Sequence, residues 1–144
     1  MGNLKCATDP KQTFLDFGLA GDATIYPGRA VKETTAYDGV TKTWVLAVTE
    51  ADSIAGVAAG LATGGGDVNN YTAGQPIQVY KMGSEAVVML SGNVTDRTIP
   101  LVIDAAGKFT PATTSTQTFN AIARELGSSG EYITVLLCTG KWVI

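Results

Sequence analysis

Short runs of β-branched and aromatic residues, each closed by a glycine-based turn, set the first constraint on this chain. Pro27-Gly28, Asp38-Gly39, Gly83-Ser84 and Ala105-Ala106-Gly107-Lys108 are turn signals. The segments between them have strand length and mostly strand period. Ala30-Val31-Lys32-Glu33-Thr34 reads as one short strand. Residues 41–49 read as another, with Trp44, Leu46 and Val48 on one face and Thr43, Val45 and Ala47 on the other. Residues 75–80 alternate Ile77 and Val79 with Gln78 and Tyr80, and Gly83-Ser84 then turns the chain into 86–90, which predicts a hairpin. Residues 98–104 form a further strand in which Pro100 marks an edge or a bulge. Residues 131–138 close the pattern with Ile133, Val135 and Leu137 on one side. Gly is frequent, at 17 of 144 residues, and disfavours long helices.

Two segments stay open on the residues alone. Ser53-Ile54-Ala55-Gly56-Val57-Ala58 and the stretch to 62 contain good helix formers, yet Gly56 and Gly60 argue against a long helix. Residues 119–126 have helical composition but also alternate Ile122 with Ala121 and Ala123. Between them, Gly64-Gly65-Gly66-Asp67 followed by Asn69-Asn70 reads as a flexible loop. An internal echo links the two halves. Gly74-Gln75-Pro76-Ile77-Gln78-Val79 parallels Gly130-Glu131-Tyr132-Ile133-Thr134-Val135, and each is preceded by Ile-Ala, at Ile54-Ala55 and Ile122-Ala123. That pattern suits one β domain built from two similar hairpins.

Residues 1–22 carry no sustained period. They read as an extended arm with Phe14, Leu15 and Phe17 as apolar anchors, or equally as a frayed terminus with one or two buried aromatics. Residues 23–144 make up the domain. The opening ten residues lack the apolar core of a signal peptide, and the longest weakly apolar run, 54–62, is too short to span a bilayer. The reading is a chain made in the cytoplasm, with no membrane partner. Cys6 and Cys138 lie at opposite ends and read as free thiols in a reducing compartment.

Charge and chemistry narrow the function. Ten Lys and Arg against thirteen Asp and Glu leave a net charge of −3, and the basic residues are scattered, which argues against direct nucleic-acid binding. There is no His, so the commonest general base and metal ligand is missing. Two distant Cys give no zinc spacing, no Gly-x-Ser-x-Gly elbow occurs, and the triple glycine is followed by no Lys-Ser or Lys-Thr. The aspartates fall mostly in turns, where Asp serves local hydrogen bonding. The expectation is a non-enzymatic structural protein with no cofactor, no metal and no catalytic residues. Charged residues make up only 16%, which fits a surface partly covered by a partner. A surface or fibre-type β interaction module is the alternative, and a small enzyme working without His the weaker one.

A family resemblance sharpens this. The succession Pro27-Gly28-Arg29-Ala30-Val31, Ile54-Ala55-Gly56-Val57-Ala58, Ala73-Gly74-Gln75-Pro76-Ile77-Gln78-Val79, Asp104-Ala105-Ala106-Gly107-Lys108-Phe109 and Ala121-Ile122-Ala123-Arg124-Glu125 with Gly130-Glu131-Tyr132-Ile133-Thr134-Val135 resembles the capsid decoration (cement) proteins of tailed bacteriophages that have a β-tulip-like domain. The resemblance covers about residues 24–137, without the 64–71 loop and without the arm. It implies a mostly β fold of short antiparallel strands and hairpins with little helix, with strands at 53–58 and 120–126. It also implies a homotrimer on the capsid exterior of the virion, bridging neighbouring subunits of the major capsid protein. In that setting Thr8, Thr13, Phe14, Leu15 and Phe17 of the arm are the candidate capsid contacts, adding a strand to an exposed sheet edge of the shell protein.

Overall fold

The computed structural model describes residues 15–21, 25–34, 40–49, 52, 54–60 and 70–142. All of the regular structure among them is strand: β1 Leu15–Ala20, β2 Ala30–Thr34, β3 Thr43–Leu46, β4 Gly56–Ala58, β5 Pro76–Lys81, β6 Glu85–Met89, β7 Leu101–Ile103, β8 Phe109–Pro111, β9 Thr118–Ala123 and β10 Tyr132–Lys141. The first five close into a barrel in the order β1-β3-β2-β4-β5, and the last five form an open sheet in the order β6-β10-β9-β7-β8. The mostly β, single-domain expectation therefore holds, and helix is absent from the described residues.

Period-two burial explains the two-layer core. Inside the barrel, Ala20, Val31, Trp44, Ala58, Ile77 and Val79 meet around Ile25. Ala30 and Val57, of opposite parity on β2 and β4, face outwards and pack against the inner face of the open sheet, built from Ala86, Val88, Leu101, Ile103, Ala121, Ala123, Ile133, Val135 and Leu137. One side of the barrel wall is thus buried on both faces. This is why Gly56-Val57-Ala58 is buried at every position and shows no alternation in sequence.

Five glycines with φ between 72° and 93°, Gly28, Gly74, Gly83, Gly107 and Gly130, each stand two residues before the first residue of a strand. The internal echo shows what that spacing does. Gln75 N–H donates to Thr72 O and Glu131 N–H to Ser128 O. Gly74 and Gly130 thus occupy the third position of a turn of the kind that requires positive φ. Each turn is then locked by the next side chain: Gln75 Oε1 accepts Thr72 N–H and Glu131 Oε1 accepts Ser128 N–H. Both strands that follow pair antiparallel with an earlier one, placing Ala58 opposite Val79 and Ala123 opposite Val135. The register-equivalent residue of the first copy is therefore Ala58, three positions past Ala55.

Three expectations are corrected. The 75–80 and 86–90 strands share the Gly83 turn but not a ladder. β5 is already paired on both edges, with β1 and β4, so β6 crosses to the open sheet and pairs with β10. Pro100 lies outside its strand: β7 begins at Leu101 and is an interior strand between β9 and β8, so the proline costs the ladder no donor. β3 is shorter than 41–49, because Asp52 captures the Val48 and Thr49 N–H groups and bends the chain away, leaving Val48 exposed.

That Asp52 contact carries a pH signature. Its carboxyl is held below the usual range, chiefly by the Val48 N–H and also by Lys32, whose Nζ lies 3.1 Å away. A group with a lowered folded pKa stabilises above its unfolded value and loses that contribution as pH falls. Asp52→Ala is expected to lower the melting temperature at pH 7, with the difference shrinking as pH falls below the ordinary aspartate range and through the lowered Asp52 value. Thermal unfolding of both proteins across that range checks it, and a pH-independent difference would assign the effect to packing instead.

Candidate functional site

The described residues bring together no group of three or more His, Cys, Asp or Glu that could hold a metal ion. What the fold does present is an uncovered wall of the barrel. β1 and β5 pair antiparallel with Leu15 opposite Tyr80, Phe17 opposite Gln78 and Leu19 opposite Pro76. These residues share the outward parity, because Gly18, Ala20, Ile77 and Val79 alternate with them towards the interior. Going round the barrel, the outer wall is covered by the open sheet at β2 and β4, is half-covered at Tyr80, and is bare at β1. Phe17 is 64% exposed and Leu15 42%.

A shallow cleft of about 430 Å³ runs beside Phe17 and is lined also by Ala59, Gly60, Tyr71, Pro76 and Tyr80. The Tyr71 hydroxyl donates to Ala59 O, tying the cleft floor to the end of β4. Burial pushes the Tyr71 hydroxyl pKa up, so the group stays a neutral donor. Two tyrosines, a phenylalanine and a proline line this cleft, with no charged side chain among its lining residues.

Of the sequence-predicted contacts, Leu15 and Phe17 lie on this wall, while Thr8, Thr13 and Phe14 fall outside the described residues. Leu15 and Phe17 are part of β1, a barrel strand, and residues 15–20 of the proposed arm therefore belong to the folded wall. The sequence reading did not single out Pro76, Tyr71 or Tyr80 as contacts. Their signal was the pairing of β1 with β5, which no local pattern announces. Cys138, a free thiol, is half-buried on β10, and burial pushes its pKa up. Cys6 lies outside the described residues.

The arrangement defines a class, a small β-barrel joined to a five-stranded sheet. No protein-family model matches the chain, and no curated protein matches it in sequence. Among solved structures, the head fiber gp8.5 N base of bacteriophage phi29 shares the fold with a TM-score of 0.60 and 13% sequence identity, over 88% of this chain and 95% of that one.

Proposed function

We propose that this protein is a structural component of a tailed-phage head, bound to the outside of the shell and bridging neighbouring major capsid subunits as a homotrimer. The observation that carries the reading is the near full-length likeness to the base of a phage head fibre. The uncovered β1–β5 wall supports it by supplying an apolar surface of the kind that binding buries. Function then lies in contact area and multivalency, with no chemistry: each copy adds a modest affinity, and a closed trimer multiplies it.

In this reading residues 1–14 and the Leu15–Phe17 face act together as the bridge. Burial of a Phe side chain contributes about 1.5–3 kcal/mol, so Phe17→Asp is expected to weaken shell binding by tenfold or more while the domain stays folded. Deleting residues 1–14 should likewise leave a folded domain that is lost from shells on sedimentation. A longer deletion through residue 22 would remove β1 and test folding instead. Shells that retain both variants as well as the full chain would overturn the bridge.

A second reading, a base that carries a fibre, is favoured by the structural neighbour, which is the N base of a head fibre. Electron microscopy separates the two: decoration predicts compact knobs on the shell, and a fibre base predicts a shaft rising from each.

A further inference from the structure

We propose that the barrel opens along its β1–β3 seam, and that the Asp16–Lys42 ion pair is the latch that holds the seam shut. Among the described residues the seam is the one parallel pairing in the barrel, and its register covers two residue pairs, Leu19 with Thr43 and Ala20 with Trp44. Lys42 O accepts Leu19 N–H at 3.0 Å and Trp44 O accepts Gly21 N–H at 2.7 Å. By contrast β1 is paired with β5 over five residues. The β2–β4 pairing is also short, but it is antiparallel and is extended by Gly28 N–H to Ala58 O, Ala58 N–H to Arg29 O and Ala55 N–H to Val31 O. It also lies beneath the open sheet, as Ala30 and Val57 show. Among the described residues, none of β1 or β3 belongs to the core beneath the open sheet.

Towards the start of β1 the register between the two strands ends at Leu19 and Thr43. The outward-facing Leu15 and Phe17 stand at the same backbone parity as Leu19, whose N–H points at β3. Phe17 N–H instead bonds to its own neighbour, Asp16 Oδ1, at 2.9 Å. Asp16 Oδ2 meets Lys42 Nζ at 2.7 Å. Lys42 Nζ in turn sits 5.7 Å from the centroid of the Trp44 ring. Trp44 is 1% exposed, and its Nε1 has no hydrogen-bond partner among the described residues. Among the described residues the seam therefore holds few backbone bonds and an unmet buried donor, and one ion pair bridges it. These are the features of a line of low local stability.

The charges around the latch set its pH window. Asp16 is faced by Lys42 and, from β5, by Lys81. Lys42 is faced by Asp16 and, from β2, by Glu33, and β4 brings no titratable group. The hydrogen bond between the two lowers the Asp16 pKa and raises that of Lys42. The latch is therefore closed across neutral pH, opens as pH falls through the lowered Asp16 value, and is weakened by salt. An open seam exposes the Leu19 and Gly21 N–H groups beside Leu15 and Phe17, an edge that a partner strand can extend. The proposal stands independently of the head-binding reading.

Amide hydrogen exchange on the full chain tests it. In the native protein, Leu19 and Gly21 should exchange faster than Ala20, whose N–H bonds to Gln75 O on the β5 side. Asp16→Asn keeps the acceptor for Phe17 N–H and removes the charge. It should speed exchange at Leu19 and Gly21 by about 2–5-fold and leave Ala20 and Val135 unchanged. Equal rates at Leu19, Ala20 and Gly21 in the native protein would overturn the proposal. So would an Asp16→Asn effect spread evenly over both sheets, or no effect at all.

Discussion

Gly56→Ala is expected to yield no stably folded barrel. A Cβ at this position would lie 1.9 Å from Tyr80 O, well inside contact distance and against backbone that cannot swing away. Gly56 sits opposite Lys81 on β5 and opposite Val31 on β2, so it is held from both sides by ladders. Relief requires β4 to move off β5, which also drags Val57 out of the contact with the open sheet. The expected loss exceeds about 4 kcal/mol, a large part of the roughly 5–15 kcal/mol that a domain of this size has. Soluble expression and chemical unfolding measure it. A variant within 1 kcal/mol of the native protein would mean the β4–β5 approach is looser than described.

Trp44→Ala is the second large effect. Trp44 is the largest fully buried side chain and fills the barrel between Val31, Ala58, Ile77 and Val79. Its indole occupies space that a side chain at position 18 would otherwise take: a Cβ on Gly18 would lie 2.5 Å from Trp44 Nε1 and 2.4 Å from Lys42 O. Removing the ring leaves a cavity, and such truncations cost about 3–5 kcal/mol. Trp44→Phe, which also removes the Nε1 donor that has no partner among the described residues, should cost clearly less. Urea unfolding of the three proteins checks the order. If Phe proves as damaging as Ala, the indole nitrogen has a partner that packing alone does not supply.

β5, β6 and β10 were legible because each alternates a buried face with a more exposed one, and β2 was legible from its strand-length run between turns although Ala30 and Val31 are both buried. Gly56-Val57-Ala58 and Thr118–Ala123 were not legible from their residues. The first is buried on both faces, and the second runs into Ala121, Ala123, Arg124, Glu125 and Leu126, good helix formers whose preference is overridden up to Ala123 by pairing with β10. Only the family resemblance pointed to strands there. β1 was the hidden element. Leu15, Phe17 and Leu19 do alternate with Asp16, Gly18 and Ala20, but the small inward residues look like a linker until Trp44 is seen to fill the space above Gly18. Partner choice was the least legible feature. Nothing near Gly83 tells that β5 has no free edge, and the same gap hid Pro76, Tyr71 and Tyr80 from the candidate surface.

The most direct test of the proposed head attachment is cryo-electron microscopy of particles purified from cells that produce this chain. Head attachment as proposed predicts density on the outer surface of the shell that fits the barrel and its five-stranded sheet, repeated around a threefold position, with the Leu15 and Phe17 wall turned towards capsid subunits. Particles whose outer surface carries no such density, with the protein recovered only in the soluble fraction of the lysate, would contradict it.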